Sequence, residues 1–190
     1  MGFFDSLLGG QKKLRGVAPD RLFAMTTAHV AMETELGMHS TGAGGLVFQP
    51  LQTSDFEQIL RDANELLAST AEEQGSTLES ADDEFGYRWV VLRDPDFEDL
   101  VVSLNTISTE LQGGGYGDRL LCAVFGFEKD GRRSYFIYNF KRGSFYPFVP
   151  AAGEHQRDTE AELRLKAQLT NEMPFEAETT RWFPLWEIPL

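Results

Sequence analysis

The chain is poor in the residues that most often carry chemistry. Its 190 residues include one cysteine, Cys122, and three histidines, at positions 29, 39 and 155. A single cysteine excludes an intrachain disulfide and any multi-cysteine zinc or iron–sulfur site. The histidines share no ligand spacing. Cys122 lies in an apolar run, where a small buried hydrophobe is expected; a reactive thiol needs exposure and positive surroundings. There is no zincin helix, Gly-x-Ser-x-Gly elbow or Walker loop. No apolar run approaches the roughly 20 residues of a spanning helix. No secretory core follows a basic start, so a cytoplasmic protein is expected. Lysine is scarce: 5 lysines and 12 arginines face 30 acidic residues, for a net charge of −13. Such a surface repels phosphate, which disfavours nucleic acid as a partner. No catalytic residue, metal ligand or cofactor site is assigned.

What remains is an ordinary globular composition, 42% hydrophobic and 25% charged, long enough for one domain with a real core. Apolar residues at helical spacing predict helices over 20–36, 55–68, 97–112 and 159–169. Ser54 with Glu57, and Thr159 with Glu162, read as capping boxes, and Asp94-Pro95 as the start of the third helix. His29 falls on the apolar stripe of the first helix and reads as a core histidine. Strands are expected at Leu46–Phe48 and Tyr87–Arg93. Leu120–Phe127, apolar on both alternating faces, should be a central strand covered on both sides. Asp130-Gly131 is a hairpin signal leading into Tyr135–Phe140, and Phe145–Val149 should be an edge strand because Pro147 lacks a donor. The acidic stretch 69–84 reads as a solvated loop. Gly42–Gly45 and Gly113–Gly117 each precede a strand and so fail as phosphate loops; they read as hinges or turns. Asp55-Phe56-Glu57 and Asp96-Phe97-Glu98 follow two strands at a spacing of 41, a weak internal echo. The expected fold is α+β: a single domain at 19–190, with a mixed β-sheet of about five strands and helices packed on it, preceded by an amphipathic segment at 1–18.

Two features point to binding. In the N-terminal segment Phe3, Phe4, Leu7 and Leu8 share a helical face, followed by Lys12, Lys13 and Arg15; an apolar face beside cations suits a membrane surface or a partner. Between Arg119 and Arg142 six basic residues oppose two acidic ones, a local charge of +4 within an acidic protein. Lys141, Arg142 and Tyr146, with Arg132 and Arg133, form the candidate partner- or anion-binding rim. Arginine grips carboxylate or phosphate with paired hydrogen bonds, and the aromatic side chains offer contact area. The alternative is a solvated turn beside core rings. The tail Arg181-Trp-Phe-Pro-Leu-Trp186 is too apolar to float and should dock on the domain or on a partner.

Met-Gly-Phe-Phe-Asp-Ser-Leu-Leu at the start, Phe-Gly-Tyr-Arg-Trp-Val-Val at 85–91, Lys-Arg-Gly-Ser-Phe-Tyr-Pro-Phe-Val-Pro at 141–150 and Arg-Trp-Phe-Pro-Leu-Trp at 181–186 resemble the PspA-associated protein PspAB family, nearly end to end. The resemblance implies a setting in the phage-shock protein A system, which maintains stressed membranes, and carries no catalytic residue onto this chain. The leading expectation is a non-enzymatic accessory protein that binds a PspA-like coiled-coil partner or contacts the inner face of the membrane peripherally. The rivals are a small-anion-binding or hydrolytic enzyme with a Lys/Arg/Tyr-lined pocket, and a homodimeric scaffold joined through the C-terminal tryptophans.

Overall fold

A computed structural model describes residues 21–190, the side chains of residues 64 and 66–74 excepted. The N-terminal segment, with Phe3, Phe4, Leu7 and Leu8, lies outside the described residues. Four helices and six strands follow in the order α1 (Ala24–Thr34), β1 (His39–Phe48), α2 (Ser54–Gln74), β2 (Thr77–Asp82), β3 (Arg88–Arg93), α3 (Phe97–Gly113), β4 (Leu120–Lys129), β5 (Arg132–Asn139), β6 (Ser144–Phe148) and α4 (Thr159–Leu169). The strands form one sheet in the order β2-β3-β1-β4-β5-β6. The α+β class holds, but the sheet has six strands, and every neighbouring pair is antiparallel rather than mixed. The cause is β2. Without it, strand, helix and strand would read as a crossover. The β2–β3 hairpin turns the chain once more, so β3 runs against β1. Strand β2 hid in the acidic stretch because it is an edge strand with almost every side chain exposed.

The two faces of the sheet are covered differently. On one face the helices bury Met25, Phe56, Leu100, Leu104 and Leu169 against Phe48, Leu92, Phe125, Phe127, Phe136 and Tyr138. On the other, the irregular tail lays Trp182, Leu185 and Leu190 on Val47, Trp89, Val91, Val124, Ile137, Tyr146 and Phe148. This double cover explains why Leu120–Phe127 is apolar at every position and buried throughout. Burial of each such large apolar side chain is worth roughly 1.5–3 kcal/mol, so the tail is a stabilising layer of the fold. Cys122 is fully buried.

The glycines at 42–45 lie inside β1, neither a hinge nor a turn. A Cβ at Gly44 would sit 2.8 Å from Leu104 Cδ1, so the missing side chain is what lets α3 settle onto the strand. The Asp130-Gly131 turn is formed as expected, with φ of 52° and 73°. The helix caps shift by one or two residues. The Thr53 hydroxyl accepts from the Phe56 amide in place of a Ser54–Glu57 box. Asp96, not Asp94, caps α3 by accepting from Glu98 and Asp99. Asp158, not Thr159, caps α4 by accepting from Ala161. Phe56 and Phe97, the matching residues of the internal echo, are both core rings in the first turn of their helices.

Candidate functional site

The expected cationic rim is dispersed by the fold. Arg132 pairs with Asp158 at 3.0 Å. Arg133 donates to the main-chain oxygen of Leu190 at 2.8 Å. Arg142, at the β5–β6 turn, reaches Glu176 at 3.6 Å. Lys141 is half-buried in the same turn. Tyr146 is 1% exposed beneath the tail, and burial holds its phenol well above its usual pKa. Strand side-chain alternation is the reason: within β6, Phe145 points to the helical face and Tyr146 and Phe148 to the tail face. Tyr146 therefore adds no open surface to a Lys/Arg/Tyr-lined pocket. The β6 edge is also closed, because Phe145 donates to the Pro174 carbonyl and accepts from the Glu176 amide.

The tail is locked by one buried ion pair. Glu162, with a fully buried side chain, takes Arg157 at 2.7 Å. It also accepts from the Val149 amide at 3.0 Å, and Arg157 donates onward to the Trp182 carbonyl at 2.6 Å. The expected role of Glu162 in a capping box is thus replaced by a link among α4, the end of β6 and the tail. The tail, expected to dock on the domain or on a partner, lies on its own sheet: Trp182 is buried and Trp186 packs its ring 5.1 Å from Phe148.

Beside that tail a groove of about 470 Å³ opens, lined by Asp82, Asp83, Glu84, Phe85, Trp89, His155, Leu185, Trp186 and Glu187. The β2–β3 turn makes one wall. Asp83 fixes it, accepting from the amides of Phe85 and Tyr87 at 2.9 Å and from the Trp89 indole at 3.3 Å. Phe85, at the tip, is 53% exposed. The other wall is Trp186, with His155 5.2 Å away. Both His155 and Glu187 hold positive φ, 52° and 58°, a conformation side chains adopt at a cost of roughly 1–2 kcal/mol. Asp82 is committed to Arg88, at 2.7 and 3.1 Å, and the Arg88 hydrogen bond holds its carboxyl below the usual value. Asp83, Glu84 and Glu187 make no ion pair among the described residues. Sequence reading passed over this site because its acidic half looked like solvated loop and its aromatic half arrives from about 100 residues away.

The model of the PspAB family, PspA associated protein B, matches residues 1–190. The chain belongs to the PspAB family. Comparison with curated proteins and with solved structures finds no match. In this PspAB chain three of the segments that carry the resemblance converge on one face of the sheet: Trp89 and Val91, Tyr146 and Phe148, and Trp182 and Leu185 share a single core. Among the described residues of the PspAB chain no group of three or more His, Cys, Asp or Glu side chains is placed to hold a metal ion, and no helix is long and apolar enough to cross a membrane.

Proposed function

We propose that this PspAB protein is a non-enzymatic accessory of a phage-shock-type membrane stress response and acts by binding a PspA-type coiled-coil protein. The carrying observation is the family match over the whole chain. The geometry supports a binding role. The tail, the buried Arg157–Glu162 link and the fixed β2–β3 turn hold a rigid surface on which aromatic and acidic groups are presented together. Arg132 and Arg142, each in reach of an internal carboxylate, stay in the proposal as rim contacts, with Lys141 and Arg133 beside them. Tyr146 contributes no surface.

The test is co-elution of the purified full-length chain with purified PspA by size exclusion with light scattering. A stable mixed species is expected; two unshifted peaks at concentrations well above micromolar overturn the reading. A second arm concerns the membrane. The apolar face of Phe3, Phe4, Leu7 and Leu8 followed by Lys12, Lys13 and Arg15 suits an anionic bilayer surface. Flotation with anionic liposomes should capture the full chain and fail for a chain lacking residues 1–16. Absence of capture for both removes the peripheral contact and leaves the protein partner standing.

A further inference from the structure

The groove beside the tail has a chemistry of its own. Its floor is apolar, with Trp89 and Leu185 buried beneath it. Its walls are two ring faces, Phe85 and Trp186, and its rim carries Asp83, Glu84 and Glu187. Among the described residues the cations in reach are already engaged: Arg88 with Asp82 and Glu57, Arg93 with the Pro189 carbonyl, Arg133 with Leu190. Aromatic faces attract a cation through their quadrupole, and carboxylates without an internal counter-ion attract it by charge. An anion or a purely apolar helix would meet the opposite of what it needs here. A lysine or arginine side chain meets both, laying its methylenes on the rings and its charge at the rim.

We propose that this groove receives an extended, lysine- or arginine-bearing segment of a protein partner, with Phe85 and Trp186 flanking the basic side chain and Asp83, Glu84 and Glu187 neutralising it. The proposal rests on the partner-binding reading and names where and by what chemistry that partner is held. Phe85 and Glu84 stand at an exposed turn tip, so they meet the segment first. Asp83 is held by the Phe85 and Tyr87 amides and the Trp89 indole. Its carboxylate is therefore pre-positioned and loses little freedom when a cation arrives.

The probe is a tetralysine peptide, with its side-chain-acetylated form as the uncharged counterpart, titrated into the full-length chain. The readouts are tryptophan fluorescence and the indole N–H resonances of Trp89 and Trp186. The charged peptide should shift both resonances saturably and the acetylated one should not. Phe85→Ala leaves net charge unchanged, so it separates the groove from diffuse attraction to an acidic body; it should weaken binding about two- to fivefold. Glu84→Lys should weaken it at least as much. Glu187→Asn, which suits the left-handed backbone there, provides a third variant should either turn substitution disturb folding. Unmoved indole resonances, or equal affinity across the variants, overturn the proposal. So does a dimer that dissociates as peptide binds, because the groove then holds a second copy. Should PspA bind the groove variants as tightly as the native chain, only the groove assignment falls. Should tetralysine bind as described while PspA does not, the PspA reading falls and the groove stands.

Discussion

Removing Arg157 should be among the most damaging single substitutions in the chain. Its guanidinium faces Glu162, whose side chain is wholly buried, with contacts at 3.0 and 2.7 Å. Arg157→Ala leaves that carboxylate in an apolar setting with only the Val149 amide as donor. It also strips the Trp182 carbonyl of its 2.6 Å partner. Breaking a buried pair from one side costs about 3–5 kcal/mol, and an unsatisfied carbonyl adds roughly 1 kcal/mol or more. Against a total stability of about 5–15 kcal/mol for a domain, the variant is marginal. The tail should feel it first, because Arg157 is one of its ties. Guanidinium unfolding followed by tryptophan fluorescence measures the loss, and Trp182 should become quencher-accessible below the main transition. The double variant Arg157→Met/Glu162→Leu should recover much of the lost stability, since the penalty arises from an orphaned charge rather than a missing attraction. A single-variant loss below about 1 kcal/mol, or a double variant no better than the single, refutes the reasoning.

Other outcomes follow from the same structure. Gly44→Ala places a methyl 2.8 Å from Leu104 Cδ1 and should cost about 1–3 kcal/mol by denaturant titration, with Leu104→Ala relieving part of it. Burial pushes the Cys122 thiol pKa up; a disulfide reagent should leave it unmodified in the native chain and react rapidly in denaturant. Asp82 is held below the usual carboxyl pKa by the Arg88 hydrogen bond, and Asp158 by the Ala161 amide and then Arg132. Depressed carboxyls add stability above their unfolded pKa of about 4 and lose it as pH falls from there through the folded value. The native chain should therefore shed more stability on acidification below about pH 4 than the double variant Asp82→Asn/Asp158→Asn, read from urea midpoints across that range.

The sequence made the interior legible and the surface much less so. Strand β4, apolar from Leu120 to Phe127, announced a strand covered on both faces, and the Asp130-Gly131 turn announced its hairpin, because burial and positive φ leave direct marks on residue choice. The α1 and α3 stripes did the same for the helical layer. Strand β2 left no such mark. Five of its six residues are exposed and only Leu78 turns toward the core, and their pairing with β3 is made by backbone groups that any residue supplies. The surroundings of the rim residues were hidden for a related reason. Arg142 and Tyr146 are four positions apart, but Arg142 sits in the β5–β6 turn and meets Glu176 from a distant part of the chain, whereas Tyr146 takes the tail face of β6. The groove joins the 82–89 turn to the 184–189 tail, a juxtaposition set by how the tail crosses the sheet and written nowhere locally.

The most direct test of a partner-binding role is calorimetric titration of purified PspA into the full-length chain and, in parallel, into Phe85→Ala and Glu84→Lys at moderate salt. Saturable binding to the native chain, weaker by about two- to fivefold or more in each variant, is the expected result. Heats indistinguishable from dilution with the native, folded chain would contradict it.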